Sequence, residues 1–293
     1  MVQLIKNNLL TERSKKLGRP LILDGAMGSL LQEKRIPVDN NLWMSKAILN
    51  KPDIIRNIYK DYINSGADII TTNSFRTNPS AVKHTQYKSE FLVEEALKIA
   101  KDSISDSEIL IAGSNPPAED CYQVKRTLSN SELEKNHKIH IDLLMQNGCD
   151  FILNETQSHL DEIKIICEFC DQKDIPYILS LFIDEELNIL SGENIEEILN
   201  FICKFNPLAV GFNCIKISTF DKIYKIIDLN FNWGLYLNCG DGTFKNEDIK
   251  CAVSPKEYSK LIKNYLSKKP LFIGACCGSS PKHIKKIKDL LNG

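Results

Sequence analysis

The stretch Leu271-Phe-Ile-Gly-Ala-Cys-Cys-Gly278 leads from a short apolar run into two adjacent cysteines, and Ala209-Val-Gly-Phe-Asn-Cys214 ends in a third. Both apolar runs predict buried strands that stop at thiols instead of at a turn. Three sulfurs at strand ends predict a zinc site with three protein ligands and an open fourth position, the arrangement of catalytic zinc. A thiol substrate in that position would become a thiolate, and so a nucleophile at neutral pH.

Apolar runs of this kind recur along the whole chain at intervals of about 25 to 45 residues, with helical periodicity between them, as in 52–63, 129–147 and 193–204. Such strands predict a parallel sheet buried on both faces. Eight of them alternating with helices fit an α/β fold, a single (β/α)8 TIM barrel forming one domain over residues 1–293. Periodicity leaves a doubly wound sheet as the competing topology. The eight runs are 21–24, 68–71, 109–112, 151–154, 177–180, 208–211, 235–238 and 271–274.

In a barrel, function is expected at the C-terminal ends of the strands. Two carboxylates stand there, Asp24 and Glu155. A buried unpaired carboxylate is costly, so each is expected to have a cationic or hydrogen-bonding partner, which could be a ligand. The alternative is that each caps a helix or pairs with a lysine.

Other motifs compete for the same loops. Gly278-Ser-Ser-Pro281 and Asn238-Cys-Gly-Asp-Gly242 could each hold a phosphate, but neither explains the thiols, and phosphate binding ranks second. Adjacent Cys276 and Cys277 could also form a strained vicinal disulfide, or they could simply be two core residues. His137 and His140 have the spacing of a metal motif, but their helix is highly charged, and we interpret them as surface histidines.

Composition restricts the partners and the compartment. The net charge of −1 over 293 residues gives no global field for nucleic acid or an anionic membrane. No apolar run approaches about 18 residues, and the N-terminus lacks a signal-peptide pattern. Ten cysteines without a secretion signal indicate a reducing compartment and not a disulfide framework. We therefore expect a cytoplasmic protein, a monomer or a small homo-oligomer.

Several motifs together resemble the homocysteine S-methyltransferase family, in the same order, from about residue 20 to the end of the chain. The resemblance implies a zinc-dependent (β/α)8 barrel that methylates homocysteine to methionine. The motifs are Leu23-Asp-Gly-Ala-Met-Gly28, Gly66-Ala-Asp-Ile-Ile-Thr-Thr-Asn-Ser-Phe-Arg-Thr-Asn78, Gly211-Phe-Asn-Cys214, and Gly274-Ala-Cys-Cys-Gly278 with Pro281-Lys-His-Ile284.

The resemblance also assigns roles to individual residues. It implies that the zinc ligands are Cys214, Cys276 and Cys277. It further implies that Asp24 and Glu155 hold the amino group of homocysteine, which agrees with the cation expected from their burial. The backbone around Ala26 and Met27 is then expected to face the amino acid.

Departures from the family pattern bear on the methyl donor. Thr156 stands where betaine-using members carry a tyrosine, and the chain ends soon after the eighth strand and its helix, without the C-terminal extension of those members. It also lacks the folate and cobalamin domains of the large methionine synthases, which argues against a corrinoid donor. We therefore expect a sulfonium donor, namely S-methylmethionine, dimethylsulfoniopropionate or S-adenosylmethionine, with betaine as the alternative. Ala275 replaces a glycine common in the family, a small-for-small change.

A methylated onium cation is expected to lie against aromatic faces. Trp43, Phe75 and Tyr122 follow the first three strands on the mouth side, and we predict that they bind the donor. Homocysteine and a small onium compound are then the expected partners. A non-catalytic zinc or thiol sensor on the same barrel is the further alternative, but it leaves the two strand-end carboxylates without a task.

Overall fold

The computed structural model describes residues 8–105, 108–241 and 249–293. Residues 1–7, whose sequence lacks a signal-peptide pattern, and Gly242 of the second predicted phosphate loop lie outside the described residues. The strands are β1 (Leu21–Ile22), β2 (Ile69–Thr71), β3 (Leu110–Asn115), β4 (Phe151–Gln157), β5 (Tyr177–Leu181), β6 (Ala209–Asn213), β7 (Trp233–Leu237), β8 (Gly240–Asp241), β9 (Lys250–Cys251) and β10 (Phe272–Ala275).

Eight of these strands form one parallel sheet that nearly closes on itself. Its order is β1-β10-β7-β6-β5-β4-β3-β2, so the last strand of the chain pairs with the first. Leu21 pairs with Phe272, and a single parallel bridge between Leu23 and Ile69 joins β1 to β2. The predicted (β/α)8 barrel is confirmed, and the doubly wound alternative is excluded because the two ends of the sheet meet. Short β8 and β9 form a separate antiparallel pair.

Helices cover the outside of the sheet. Each of the predicted helices at 52–63, 129–147 and 193–204 is present, with ends that differ by up to two residues. Within the described residues no helix has both the length and the apolar composition needed to cross a membrane. The helices are α1 (Leu9–Leu17), α2 (Gly28–Glu33), α3 (Ala47–Asn50), α4 (Pro52–Asn64), α5 (Pro79–Val82), α6 (Ser89–Lys101), α7 (Asn130–Gln146), α8 (Leu160–Gln172), α9 (Ile195–Ile202), α10 (Ile217–Ile226), α11 (Pro255–Tyr265) and α12 (Pro281–Leu291).

Two apolar clusters follow from the alternation of side chains along the strands. The larger cluster lies between the sheet and the helices. The smaller one consists almost entirely of strand residues, including Leu153, Ile178 and Phe272, and it fills the barrel interior. The interior is therefore a packed core, which leaves the C-terminal ends of the strands as the place for a ligand.

The prediction that His137 and His140 lie on the surface is wrong, because both side chains are fully buried. Nε2 of His137 lies 2.8 Å from Oε1 of Glu162, and Nδ1 of His140 lies 2.9 Å from Oδ1 of Asn115 at the end of β3. The charged residues of α7 lie on its other faces. Leu133 and Leu144 share the buried face with the histidines, and this periodicity is the signal that the charge count concealed.

The buried histidines belong to a polar network that ties two mouth loops to the helices. His140 contacts Thr77 in the loop after β2, and Arg126 in the loop after β3 donates to Glu162. Burial lowers the pKa of His140 to about 3, so this ring is neutral near pH 7. Burial alone would raise the pKa of Glu162, but the hydrogen bond with His137 and the charge of Arg126 lower it to about 2.

A buried ion pair supports the seam between β1 and β2, where the ladder is shortest. The guanidinium of Arg19 donates two hydrogen bonds to the Asp68 carboxylate, of 2.6 and 2.9 Å, and the side chains are only 8% and 13% exposed. Asp68 also accepts the backbone N–H of Ile22 at 2.7 Å. One carboxylate, directly before β2, therefore accepts two donor groups from the β1 side and ties the two sides of the seam together.

We predict that Asp68→Asn lowers the free energy of unfolding by about 3 kcal/mol, because it leaves a buried guanidinium without its counter-charge. The matched control is Asp289→Asn, which removes an exposed pair with Lys285 on α12 and is expected to cost less than about 0.5 kcal/mol. Urea unfolding followed by circular dichroism measures both. Equal losses in the two variants would contradict a special role for the seam.

Candidate metal and substrate site

Three cysteine sulfurs meet at the ends of β6 and β10, as predicted. The sulfurs of Cys214, Cys276 and Cys277 all lie within 4.8 Å of one another. Cys277 Sγ is 3.6 Å from that of Cys214 and 3.9 Å from that of Cys276. Cys214 has a φ of 52°, an unusual conformation for a residue with a side chain and one that is common at functional sites.

The prediction that the chain lacks a disulfide framework meets one exception, because Cys214 and Cys276 are joined as a disulfide. The adjacent Cys276 and Cys277 are not bonded to each other, so the vicinal disulfide is also excluded. The closeness that allows sulfurs to share an ion also allows two of them to bond. The number of cysteines could not predict this disulfide, because the pairing depends on β6 and β10 lying on either side of β7.

The donor set fits a soft metal ion once the disulfide is reduced. Zinc–sulfur bonds of about 2.3 Å in a tetrahedron place sulfurs about 3.8 Å apart. The two distances from Cys277, 3.6 and 3.9 Å, are close to that value. Thiolate ligands favour zinc over ions that prefer carboxylate ligands, such as magnesium.

The loop after the cysteines is built for the sulfurs and not for a phosphate. The N–H of Gly278 donates to Ser29 Oγ, that of Ser279 to the Cys276 carbonyl, and that of Ser280 to Nδ1 of His283. These three amides therefore have partners inside the protein, which removes the basis of phosphate binding at 278–281. Gly278 has a φ of 77°, and a Cβ there would collide with the backbone of Gly240, so glycine is required directly after the cysteines.

Asp24, which is buried, and Glu155, which is partly buried, are the carboxylates of the site, and the described residues give them hydrogen bonds but no positive charge. Asp24 accepts the N–H of Thr71 at 2.8 Å and its hydroxyl at 2.9 Å, and Glu155 accepts the hydroxyl of Ser114. Within the described ranges, no lysine, arginine or histidine nitrogen lies within 4.0 Å of either carboxylate. Neither residue caps a helix, so the alternative of a lysine pair or a helix cap is not observed.

Burial dominates the ionisation of both groups. Desolvation raises the pKa of Asp24 to about 8, against the opposing hydrogen bonds from Thr71, and the neighbouring Glu155 raises it further. Desolvation likewise raises the pKa of Glu155 to about 7. Both carboxyls hold a proton over part of the neutral range, and a ligand cation between them would favour the ionised forms.

An irregularity in β4 directs Glu155 into the barrel mouth. The register with β5 shifts between Asn154 and Gln157, and Thr156 has a φ of 58°, which is strained for a β-branched residue. Asn213, directly before Cys214, stabilises this conformation: it accepts the Thr156 N–H at 2.9 Å and donates to the Thr156 hydroxyl at 2.8 Å. The carboxylate and the first cysteine are thereby positioned by one side chain.

A cavity of about 890 Å³ connects all the predicted site residues. Its volume lies within the range of about 300 to 1,000 Å³ that is usual for small-molecule sites. The Trp43 and Phe75 rings meet edge to face at 5.7 Å, and the Tyr122 ring meets Phe182 at 5.1 Å. The predicted residues in its lining are Asp24, Ala26, Met27, Trp43, Phe75, Tyr122, Glu155, Cys214, Cys276 and Cys277.

Several polar residues of the site, in the cavity lining and behind it, were not predicted from the sequence. Ser279 Oγ accepts the Ala26 N–H at 3.0 Å, and the Tyr62 hydroxyl donates to the Ala26 carbonyl, so both backbone groups of Ala26 are occupied. The Tyr236 side chain lines the cavity, and its buried hydroxyl has no hydrogen-bond partner in the described part of the chain. Tyr236 lies within the apolar strand β7, so its place in the cavity lining becomes evident only from its inward position in the barrel.

Known proteins resemble this chain in sequence and in fold. The profile of the family described as homocysteine S-methyltransferase matches residues 21–291. Homocysteine S-methyltransferase 2 of Saccharomyces cerevisiae is 25% identical, over 98% of each chain. Homocysteine S-methyltransferase YbgG of Bacillus subtilis is 23% identical, over 91% of this chain and 93% of its own.

The crystal structure of the homocysteine methyltransferase MmuM from Escherichia coli in its metallated form has the same fold. Its TM-score is 0.78 at 19% identity, and the match covers 94% of this chain and 99% of that one. The sequence profile extends from the first strand of the barrel to the last helix and includes every strand-end residue described above. The protein therefore belongs to the homocysteine S-methyltransferase family.

Proposed function

We propose that this methyltransferase uses Zn²⁺ held by Cys214, Cys276 and Cys277, and that it takes the methyl group for homocysteine from a sulfonium donor. The observation that carries the proposal is that one cavity is lined both by the three sulfurs and by two carboxylates that have no cationic partner among the described residues. A thiol amino acid offers a sulfur to the first group and an ammonium to the second. The MmuM relative in its metallated form supports a metal in this fold.

The amino-acid end of homocysteine is bound by β1 and β4 in this proposal. Its ammonium lies between Asp24 and Glu155 and supplies the positive charge that neither carboxylate receives from the protein. Its carboxylate contacts the backbone amide of Met27, since both backbone groups of Ala26 already have partners. Thr71 and Ser114 keep the two acidic side chains in place through their hydroxyls.

The sulfur end lies at the cysteines. Zinc, when bound, would supply the positive charge that keeps the homocysteine sulfur deprotonated near pH 7. The new bond forms between that sulfur and the donor's methyl carbon while the carbon–sulfonium bond breaks, and the donor leaves as a neutral sulfide with the bonding electrons. No proton moves at the methyl carbon, so the protein needs no general base there, and alignment of the reactants is its main contribution.

The aromatic side of the cavity positions the donor. Trp43 and Phe75 meet edge to face, and Tyr122 packs on Phe182, which leaves aromatic faces for an onium cation. Thr156 supports a sulfonium donor over betaine, because it stands where betaine-using members of the family carry a tyrosine. Its hydroxyl accepts a hydrogen bond from Asn213 instead.

A donor panel tests the choice of donor. We expect methionine to form from homocysteine with at least one of S-methylmethionine, dimethylsulfoniopropionate and S-adenosylmethionine, and not with betaine, when product is measured by mass spectrometry. Turnover with betaine alone would overturn the sulfonium assignment. No zinc-dependent binding of homocysteine by calorimetry, together with no turnover of any donor, would favour the sensor.

Removal of one ligand tests the metal. We expect about one zinc per chain in protein purified under reducing conditions, and loss of that zinc in Cys276→Ser, because two sulfurs do not complete the ligand set. Metal content is measured by mass spectrometry. Cys203→Ser, at the end of α9, is the control and should keep its zinc. Stoichiometric zinc in Cys276→Ser would remove the assignment.

The raised pKa values of Asp24 and Glu155 predict a pH dependence of amino-acid binding. The ammonium needs ionised carboxylates, so affinity should rise as the pH increases through about 7 and 8, the values at which these groups lose their protons. Methionine is the probe, since it carries the ammonium but no thiol that would titrate. Calorimetry at pH 6 and 8.5 measures the change.

Asp24→Asn should weaken methionine binding roughly 10- to 100-fold at pH 8.5 and flatten this dependence, because a charge-assisted hydrogen bond is lost. Asp289→Asn, on the outer face of α12, should behave as the wild type. An unchanged pH profile in Asp24→Asn would contradict the role given to this carboxylate.

A further inference from the structure

Apart from Asp24 and Glu155, acidic groups of the cavity wall have partners within the chain. Asp39 accepts the backbone N–H groups of Asn41 and Leu42, and the Glu119 carboxylate accepts those of Thr127 and Leu128. These bonds lower the pKa of Asp39, and the bonds to Thr127 and Leu128 lower that of Glu119 despite its partial burial. The wall therefore has little acidic capacity left for a further cation.

Two further charged residues of the wall neutralise each other. The ammonium of Lys83 lies 3.7 Å from the Glu132 carboxylate, and the side chain is 60% exposed. Glu132 is also the partner of Ser129 in the capping box that begins α7. Lys83 is thus a solvated and paired cation, and it serves as a reference for Arg76.

Arg76 also lines this cavity, but it has no acidic partner among the residues that the structure describes. Its Nη1 donates to the backbone carbonyl of Glu119 at 3.1 Å, and in the ranges that the structure describes no carboxylate lies within 4.0 Å of its guanidinium. The other half-buried arginines, Arg13, Arg19, Arg56 and Arg126, each pair with at least one carboxylate. A half-buried guanidinium facing a cavity without a counter-charge is suited to an anionic group of a ligand.

The neighbour of Arg76 indicates which ligand brings the anion. The guanidinium carbon lies 6.0 Å from the ring centre of Phe75, and that ring packs against Trp43. An aromatic surface for an onium cation and a guanidinium for an anion are therefore adjacent in one cavity. The proposed function assigns the homocysteine carboxylate to the Met27 amide, so we assign the second anion to the donor.

We propose that Arg76 binds a carboxylate of the methyl donor, so that the enzyme selects zwitterionic donors in which a short carbon chain joins the onium centre to a carboxylate. This inference rests on the proposed function and deepens it. It makes Arg76 a specificity-determining residue, and it predicts that sulfonium compounds without a carboxylate are poor donors whatever their reactivity.

A purely structural role makes a different prediction. Arg76 links two mouth loops, since its backbone N–H donates to Ser45 Oγ at 3.1 Å and its side chain to the Glu119 carbonyl. If that clamp were its whole task, loss of the guanidinium would impair all donors equally. The two roles are therefore separated by comparing donors that differ only in the carboxylate.

The experiment compares dimethylsulfoniopropionate with its methyl ester in the zinc-loaded wild type and in Arg76→Gln, Arg76→Lys and Lys83→Gln. We expect the wild type to favour the acid in kcat/KM by roughly 10- to 100-fold, the range of a charge-assisted hydrogen bond. Arg76→Gln should lose that preference and keep its activity with the ester within about 3-fold. Arg76→Lys should recover part of the preference, and Lys83→Gln should match the wild type.

Binding without turnover gives a second measurement. The chain has two tryptophans, Trp43 in the cavity lining and Trp233 buried in the core, so quenching of Trp43 fluorescence reports donor binding. The same preference for the acid, lost in Arg76→Gln, supports the inference even if no methionine forms, which would count against the proposed function alone. Methionine formation with equal use of acid and ester, or equal losses for both in Arg76→Gln, would overturn the inference.

Discussion

The convergence of β6 and β10 on the two sides of β7 is the constraint on which the site depends. Three sulfurs can approach to within 4.8 Å only if the ends of these strands stand at one level of the sheet. That level is set by the parallel ladder, in which Phe212 pairs with Leu235 and Ala275 with Leu237. A shift of one residue in either pairing would turn the side chains to the other face.

The same closure forces the acidic residues into a low-dielectric position. Asp24 follows β1 and Glu155 lies in β4, so both point into a mouth whose floor is the apolar barrel interior. Their raised pKa values show that the protein leaves the ionised forms incompletely stabilised. Hydrogen bonds fix where these groups point, and a ligand's charge is left to complete their stabilisation.

The mouth loops differ from the strand ends in what holds them. The loops after β2 and β3 are tied to α7 and α8 by the network of His137, His140 and Glu162, which lies outside the cavity. Both ring nitrogens of His137 and of His140 have hydrogen-bond partners, whereas among the described residues the Arg76 guanidinium has a backbone carbonyl partner and no carboxylate. This contrast between satisfied and unsatisfied polar groups distinguishes structural residues from those that await a ligand.

Much of the fold and the site could be predicted from the sequence by itself. Short apolar runs gave the strands because burial on both faces requires them, and the residues that follow each run gave Asp24, Glu155 and the three cysteines. These signals are local, since each depends on a few consecutive residues. The tertiary structure decided what depends on residues far apart in the chain, such as the burial of His137 and the disulfide between Cys214 and Cys276. The tertiary structure also decided where the Glu155 side chain points and that no described carboxylate lies near Arg76. A carboxylate or a guanidinium acquires its function from the charges that the fold brings near it or keeps away.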